Sequence, residues 1–556
     1  MKWLLRPSLL IVASTAFVVG ALAVALRTGP ALTRPAPLPV ADGDREIVWL
    51  YAATNPGAWE RFVAAVRRAP EGLRKDHPDV RAEFSGAVAF PEHTTAVPEV
   101  ALSFGPGRGR LVFRWYKLTS DWNTHDWVEA LLKRAPPPLA VIGGSSSDGA
   151  RDLAWQLDQA GAALPADARP LLLLTTATAD RVPDPAGAGT RPPPVPALAA
   201  EEPEVTPGVA LNDLYPDRTF RFCFTNRQMA GAVTHFLWSQ PDLRPDYAPP
   251  YMVRWDDDSY SRDLIEGFWQ ALERRVEKKE FTMDVLPTPQ VIDSSVGGFS
   301  RPNRFEAKVA RDLLDLRQAP QQARQKRPLL VLTGQSAPSR RFLRALVRSA
   351  PDLARQFVVA TGDAIAFNNV YRDRGVAWHV QDLPIPLVFF CHHNPIDSEA
   401  GFRPLPGDRV GAGPPAPRPS GSDLTAATGT EDILLYGDIV EALAQGRGGR
   451  PAANATELAA GLAEARVNGG HVGFGGEGLT LFRPDGHGRR QGGTGEHIVT
   501  FRPHVKDGRV LPEATIGVWA WHGRRGASPP AGEWRPVGEP LQVFYDQFPA
   551  EGVGHE

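Results

Sequence analysis

Three consecutive serines, Ser145, Ser146 and Ser147, stand where an apolar segment ends and a polar helical segment begins. The apolar segment, residues 139–144, ends in two glycines. Serine hydroxyls and the free backbone N–H groups at the start of a helix can hold an anion such as a carboxylate. The alternative is that one of these serines only caps the helix. The sequence leaves both interpretations open.

Polar residues follow other apolar segments in the same way. Ala177 and Thr178 come after four leucines at 171–174, and they could complete a carboxylate site with the serines. The ring of Tyr260 could cover a ligand, and the carboxylate of Asp363 could pair with an ammonium group. The alternatives are an ordinary loop for Ala177 and Thr178, a helix start for Tyr260 and a solvated turn for Asp363.

Other candidates carry weaker signals. Gln335 follows a further apolar segment and Tyr436 lies on a predicted helix, so both are secondary candidates for a ligand contact. The aspartates at 256–258 suggest a cation site, but such a run more often is a solvated strand end. The histidines at 392–393, beside Cys391, have no second cluster with ligand spacing, which favours structural histidines. The sequence therefore predicts no metal.

No catalytic constellation is recognisable in the sequence. The glycine-rich stretch at 473–478 lacks a preceding strand, a following helix and the Gly-Lys-Ser/Thr of a phosphate loop. Neither a Gly-x-Ser-x-Gly elbow nor a His-Glu-x-x-His motif is present. We expect a binding protein that is not an enzyme and uses no cofactor, and an α/β hydrolase is the least favoured alternative.

The candidate residues can meet only if the strands that precede them share a sheet. Apolar segments alternate with helical segments twice, once before about residue 225 and once from about 250 to 360. Fully apolar strands in such an alternation predict a parallel sheet covered on both faces. Ligands of these sheets bind beyond the carboxyl ends of the strands. The sequence therefore predicts an α/β fold with two doubly wound, Rossmann-like lobes.

The composition excludes several classes of protein. Among 556 residues, 61 Lys and Arg stand against 63 Asp and Glu, for a formal net charge of −2. A general nucleic-acid binder needs a basic surplus, so no nucleic-acid partner is expected. Two cysteines exclude a disulfide-dense scaffold. The 53 Gly and 54 Pro exceed average usage, and two Pro-rich inserts, 181–208 and 404–422, have roles that the sequence leaves open.

The N-terminal segment predicts export. Lys2 and Arg6 precede the uncharged run 7–26, which is long enough to span a membrane as a helix. A signal peptide cleaved near the small residues at 21–25 is the alternative, but the run is long for a signal. We expect the remaining chain to be periplasmic or otherwise extracytoplasmic. It is then anchored to the inner membrane or, after cleavage, secreted.

Five stretches in this order resemble the type I periplasmic-binding-protein family, which includes the branched-chain amino-acid binding proteins of ABC importers and related receptor ligand-binding regions. Gly143-Gly144-Ser145-Ser146 is similar to the family's turn after the third strand. The other stretches resemble its ligand loop, its hinge strand, its second-lobe signature and its acidic hinge loop, at residues 174–178, 220–222, 256–268 and 358–363. In this chain Ser261 replaces the glycine that the family has after Tyr260.

The resemblance implies two lobes joined by hinge strands, with a small ligand held between them. It implies that Ser147, Thr178, Tyr260 and Asp363 converge on one amino-acid-like or organic-acid ligand. An ABC permease or a sensor would then be the partner of the closed form. The alternative is a ligand-sensing or protein-interaction domain of the same fold without a transport role.

The order of segments also predicts where the chain passes from one lobe to the other. Short strands and turns are expected near the C-terminus. The predicted parts are an anchor or signal segment at 1–27, a linker at 28–44, the first lobe at 45–230, the second lobe at 231–360, a return to the first lobe at 361–450, and the end of the second lobe with a C-terminal extension at 451–556.

The two cysteines can be interpreted in two ways. The resemblance places Cys223 and Cys391 in the same lobe beside the hinges, and an exported compartment permits oxidation, so a disulfide is one hypothesis. Two inert buried thiols are the other.

Overall fold

A computed structural model describes 14 stretches of the chain. They are residues 36–185, 208–245, 250–277, 290–292, 304–318, 327–371, 383–398, 401–405, 408–410, 421–445, 449–467, 470–471, 494–523 and 532–545. The expected anchor at 7–26 and much of both Pro-rich inserts lie outside these residues. Within the described stretches, no helix combines the length and apolar character needed to cross a membrane.

The first part of the described chain alternates strands and helices, as predicted. The elements are β1 (Arg45–Ala52), α1 (Pro56–Leu73), β2 (Arg81–Gly86), β3 (Glu99–Ser103), β4 (Arg110–Leu118), α2 (Thr124–Lys133), β5 (Ala140–Gly143), α3 (Ser147–Gly161), β6 (Leu171–Leu174), β7 (Arg181–Val182), β8 (Val209–Ala210) and β9 (Thr219–Arg221). Seven of these strands form a sheet in the order β2-β3-β4-β1-β5-β6-β9, and β7 pairs with β8. From β4 to β9 the neighbours are parallel, so their carboxyl ends share one edge.

The second part repeats the alternation. The elements are α4 (Asn226–Ser239), β10 (Tyr251–Trp255), α5 (Ser259–Glu277), β11 (Gln290–Ile292), α6 (Arg304–Gln318), β12 (Leu329–Leu332), α7 (Ser336–Ser349), α8 (Pro351–Ala354), β13 (Val358–Ala360), α9 (Phe367–Val370) and β14 (Leu387–His393). The strands form a second parallel sheet in the order β11-β10-β12-β13-β14.

The last part completes both lobes. The elements are β15 (Arg409–Val410), α10 (Gly421–Ala444), α11 (Ala455–Glu464), β16 (Arg466–Val467), β17 (Gly470–His471), β18 (Thr494–Lys506), β19 (Arg509–Gly523), β20 (Gly532–Pro536) and β21 (Leu541–Phe544). The second sheet continues from β14 through β18, β19 and β21 to β15, with antiparallel pairing. The C-terminal strands β20 and β21 are short, as expected, with 5 and 4 residues, but β18 and β19 are longer than expected, with 13 and 15.

Apolar cores cover both faces of each sheet, which confirms the predicted α/β class with two doubly wound lobes. The central strands β5, β6 and β12 are apolar throughout because neither face meets water; all four leucines of β6 are fully buried. A glycine after β5 shows how the local sequence ends a strand in a tight turn. Gly144 after β5 has φ of 73°, and a Cβ there would lie 2.7 Å from Cβ of Ala150, so only glycine fits this turn.

The chain passes between the lobes at different points from those predicted. Phe224 and Met229 already pack in the core of the second lobe, before residue 231. That lobe also continues beyond residue 360, because β14 pairs with β13 and β15 pairs with β21. The return to the first lobe comes with α10 and includes α11, whose Leu458 and Leu462 are buried in the first-lobe core. Adjacent strands and buried helix faces, rather than sequence order, set these boundaries.

A buried ion network ties the first strand into the first lobe. Glu46 on β1 is 2% exposed. Its carboxylate lies 3.1 Å from the Arg114 guanidinium, accepts a 3.0 Å hydrogen bond from the Tyr116 hydroxyl and also pairs with Arg134. Burial and then the Glu46 charge raise the pKa of Tyr116 above its ordinary value. Glu46 thus pairs with two guanidinium groups that are mostly out of water, and Arg114 pairs with Glu99 as well, at 2.7 Å.

We predict that Glu46→Ala lowers the free energy of unfolding by about 3–5 kcal/mol, because the mostly buried Arg134 loses its carboxylate partner and Arg114 is left with Glu99. Urea denaturation followed by circular dichroism measures the loss. Glu83→Ala is the matched control, since this exposed glutamate pairs with Arg110, which keeps Asp44 as a partner. The control should change stability by less than about 1 kcal/mol. Equal losses in the two variants would contradict the account.

Candidate functional site

The carboxyl edges of the two parallel sheets meet between the lobes. Asp148, in the first turn of α3, accepts a 2.6 Å hydrogen bond from the Ser259 hydroxyl at the start of α5. Asp263 on α5 accepts hydrogen bonds from the backbone N–H groups of Asp180 and Arg181 in the first lobe, at 2.8 and 3.0 Å. The strand-end loops of the two lobes are therefore in contact across the cleft.

The three predicted serines have different environments. Ser146 caps α3, since its hydroxyl accepts a hydrogen bond from the backbone N–H of Gly149 at 3.1 Å. Ser147 is buried, and its hydroxyl accepts from the backbone N–H of Ala179 at 3.2 Å. Ser145 is exposed at the end of the turn. The helix-cap interpretation thus holds for Ser146, and solvent reaches both Ser145 and Ser146.

The loop after β6 is hydrogen-bonded to the start of α4, where the chain enters the second lobe. Ala177 and Thr178 are fully buried. The carbonyl of Thr178 accepts a 2.7 Å hydrogen bond from the backbone N–H of Asn226, the first residue of α4. The hydroxyl of Thr178 is enclosed and has no hydrogen-bond partner. An unpartnered hydroxyl at a strand end is a feature that a bound ligand would explain.

Tyr260 and Asp363 lie together in the second lobe. The Tyr260 hydroxyl accepts a 3.2 Å hydrogen bond from the backbone N–H of Ala364, and a Cβ on Gly362 would lie 2.5 Å from that hydroxyl. Burial and then the charge of Asp363 raise the pKa of Tyr260 well above its ordinary value. Asp363 Oδ2 is 2.9 Å from His392 Nε2, and Oδ1 is buried without a partner.

The protonation of His392 follows from its contacts. Its Nδ1 accepts a 3.2 Å hydrogen bond from the backbone N–H of Phe224. Because Nδ1 is the acceptor, Nε2 carries the proton and donates it to Asp363. The imidazole is therefore the neutral tautomer, and the negative charge of Asp363 is not cancelled by it.

The four residues expected on one ligand form two linked pairs. Ser147 and Thr178 belong to the first lobe, and Tyr260 and Asp363 to the second. Asn226 joins the pairs, because its backbone N–H donates to Thr178 and its side-chain amide donates to the Tyr260 carbonyl at 3.2 Å. Of the four, Asp363 is the one with a partly exposed side chain, at 14%.

Gln335 and Tyr436, the two secondary candidates for a ligand contact, lie in different parts of the structure. Gln335 is exposed at the start of α7, and its amide lies beside the carboxyl group of Asp258. Burial raises the pKa of Asp258 to about 6. Tyr436 instead lies in the first-lobe core, with its ring centroid 4.9 Å from that of Trp49. Gln335 thus lies at the cleft, whereas Tyr436 is part of the first-lobe core.

The disulfide hypothesis is wrong for this structure, because Cys223 and Cys391 are separate buried thiols. Cys223 follows β9 of the first sheet, Cys391 lies on β14 of the second sheet, and the two sulfur atoms have different partners. The Cys223 thiol donates to the Ala177 carbonyl at 3.4 Å, and Cys391 lies against Glu431. Burial raises the pKa of Cys223 to about 12 and that of Cys391 well above its ordinary value, which makes both thiols inert.

Several charged residues at the lobe boundary were not found from the sequence. Arg61 on α1 lies 2.7 Å from Asp432 on α10. Tyr51, at the end of β1, lies near both, and burial raises its pKa to about 12. His393 Nε2 is 3.1 Å from Asp438 Oδ2, which joins the second lobe to α10. No local spacing signals these contacts, since their partners are far apart in the chain.

Glu431 on α10 is another buried acidic residue at the boundary between the lobes. Its carboxylate accepts a 2.6 Å hydrogen bond from the backbone N–H of His392. Burial and then the charge of Asp432 raise the pKa of Glu431 to about 8. Within the described stretches, no group of three or more His, Cys, Asp and Glu side chains is arranged to hold a metal ion. The lobe boundary is therefore rich in carboxyl groups, which suit a ligand with several hydrogen-bond donors.

Solved structures similar to this chain include substrate-binding proteins of ABC transporters. One from Desulfitobacterium hafniense, in complex with Leu, has 15% identity and a TM-score of 0.45, and covers 84% of this chain and 99% of its own. One from R. palustris, in complex with 4-hydroxybenzoate, has 10% identity and a TM-score of 0.45, and covers 84% and 95%. A leucine-, isoleucine-, valine-, threonine- and alanine-binding protein from Brucella ovis has 10% identity and a TM-score of 0.43, and covers 90% and 96%.

These proteins are of the kind that the five sequence stretches resemble. At such identities and TM-scores, however, the similarity does not identify the function of this chain. No protein-family model matches the sequence. No curated protein matches it either.

We predict that Glu431 makes the stability of the protein fall as the pH rises. Its pKa of about 8 in the folded state exceeds the value of about 4.3 of an unfolded glutamate. Between these values the folded state binds one proton more, so the free energy of unfolding falls with rising pH. Glu431→Gln keeps an acceptor for His392 but does not titrate, so its stability should decline less steeply between pH 5 and pH 8.

Urea denaturation at several pH values measures this difference. Glu60→Gln, at an exposed position on α1, is the control and should follow the wild-type profile. Parallel profiles for wild type and Glu431→Gln would contradict the prediction.

Proposed function

We propose that the chain is an extracytoplasmic solute-binding protein that captures a small ligand between its two lobes. The observation that carries this proposal is the meeting of two parallel carboxyl edges across the lobe boundary. In open α/β sheets this edge is where ligands bind. Two such lobes joined by crossing segments can close around a ligand.

Binding by this site uses groups from both lobes. Asp363 offers an unpartnered carboxylate oxygen, and His392 holds the other oxygen in place. An ammonium group of an amino-acid-like ligand fits that oxygen. Ser145 at the opposite edge is open to solvent and supplies a hydroxyl. Contact with both lobes favours the closed arrangement, in which Ser259 bonds to Asp148.

The biological setting is part of the proposal. The uncharged run at 7–26 supports export, with tethering to the inner membrane and the lobes in the periplasm. A closed, ligand-bound form is the state that an ABC importer's permease would recognise. An amino-acid-like or organic-acid ligand is the class that the family resemblance favours.

The second candidate is a ligand-sensing or protein-interaction domain of the same fold. The observation in its favour is that the hydroxyls of Ser147 and Tyr260 already bond within the protein. Permease and ATPase genes beside this gene would favour transport over sensing.

We predict that ligand binding raises the melting temperature of the full chain in a screen of amino acids, amides and small organic acids. For a ligand with an ammonium group, Asp363→Asn should weaken binding more than tenfold, because the bound cation loses its counter-charge. Asp167→Asn is the control, since Asp167 is exposed and precedes β6, at the opposite end of the strand from the site. A ligand that binds wild type and Asp363→Asn equally would contradict the site.

A further inference from the structure

The strand-end segments at the cleft carry charge of one sign. Nine described segments follow the parallel strands of the two sheets, at 53–55, 119–123, 144–146, 175–180, 222–225, 256–258, 333–335, 361–366 and 394–398. They contain no Glu, Lys or Arg. Their charged residues are Asp121, Asp180, Asp256, Asp257, Asp258, Asp363 and Asp397. A cleft lined by one sign of charge concentrates ligands of the opposite sign.

Two of these carboxylates have an oxygen that lacks a hydrogen-bond donor. Asp258 Oδ1 accepts a 3.1 Å hydrogen bond from the backbone N–H of Tyr260, and Oδ2 is buried without a partner. Asp363 is in the same state, with Oδ2 bonded to His392 and Oδ1 unpartnered. The hydroxyl of Thr361, a fully buried residue two positions before Asp363, is unpartnered too. The Gln335 amide and the Tyr260 hydroxyl lie beside these two carboxyl groups, yet one oxygen of each accepts no hydrogen bond, and an N–H group of a ligand would complete it.

Three guanidinium groups near the cleft are already paired with carboxylates. The guanidinium–carboxylate pairs are Arg61–Asp432, Arg151–Asp148 and Arg254–Asp256, at 2.7, 3.4 and 3.1 Å. The start of α3, where the sequence predicts a carboxylate site, carries the Asp148 carboxylate in its own first turn. A ligand anion would meet that carboxylate, whose nearest described guanidinium, Arg151, is already paired with it.

We infer that the cleft takes an organic cation with two amine or guanidine centres, such as an α,ω-diamine or a basic amino acid, and disfavours organic anions. The inference rests on the proposed function and narrows its ligand class. Asp363 receives one cationic centre and Asp258 the other. Their strands, β13 and β10, are separated by β12, so the strand ends lie roughly 10 Å apart. A chain of about four or five methylene groups with a hydrogen bond at each end covers that distance.

Isothermal titration calorimetry on the full chain tests the inference directly. The probes are 1,5-diaminopentane, lysine, leucine, benzoate and the monoamine 1-aminopentane. The diamine and lysine should bind at least tenfold more tightly than leucine, and benzoate should bind more weakly than leucine. Affinity for the diamine should fall as salt is added, because two charge pairs are screened.

Variants separate the two carboxylates. Asp258→Asn should weaken the diamine about tenfold and leave 1-aminopentane unchanged, because the monoamine needs only Asp363. Asp363→Asn should weaken both ligands. Asp167→Asn should bind both as wild type does. The panel on the wild-type chain decides the matter even where a variant fails to fold.

The outcomes are distinguishable. Binding of leucine or benzoate more tightly than of the diamine and lysine overturns the inference and leaves the proposed function intact. Absence of binding to every probe overturns the inference and counts against the proposed small-molecule function as well. Equal loss of the monoamine and the diamine in Asp258→Asn overturns the assignment of the second centre to Asp258.

Discussion

Parallel strands in one sheet all end at the same edge, and every candidate contact in this protein depends on that constraint. It brings the turn after β5 beside the loop after β6, although 27 residues separate the two strands. In the second lobe it gathers the loops after β10, β12 and β13 in the same way. Two sheets with facing carboxyl edges then place aspartates from distant parts of the chain around one cleft. The acidity of that cleft is a property of the fold as much as of any single residue.

The connections between the lobes tie this cleft to the rest of the molecule. At the first crossing, Thr225 and Gln228 cap α4 reciprocally and fix where the helix begins. His392 contacts this crossing through Phe224 and holds Asp363 through its other ring nitrogen. Its backbone N–H bonds to Glu431 on α10, which belongs to the return to the first lobe. One histidine therefore connects the ligand position with two of the segments on which the lobes would move.

The sequence predicted the strands well because burial on both faces makes them continuously apolar, as in the four leucines of β6. It also predicted which loops follow those strands. It did not predict the lobe boundaries, because the partners of β14 and β15 are strands from the last part of the chain. Arg61 and Asp432 are 371 positions apart, and only the packing of α10 against α1 joins them.

The roles of individual side chains could not be predicted from the sequence for a similar reason, because they depend on contacts that only the folded structure shows. The choice among three adjacent serines depends on which hydroxyl meets the backbone N–H of Ala179. Tyr436 was a ligand candidate on its helix, but that helix turns the ring toward Trp49. The two cysteines belong to different sheets and their sulfur atoms have different partners, which residue spacing in the sequence does not reveal.

The central claim is that the two carboxyl edges close on a ligand, and the distance across the cleft tests it most directly. Thr54 and Gln335 are exposed at the edges of opposite lobes, and the native cysteines are buried. Spin labels on a Thr54→Cys, Gln335→Cys variant report this distance by pulsed electron paramagnetic resonance. The account predicts that a ligand found by calorimetry narrows the distance distribution and shifts it to shorter values. An unchanged distribution at saturating ligand would contradict capture between the lobes.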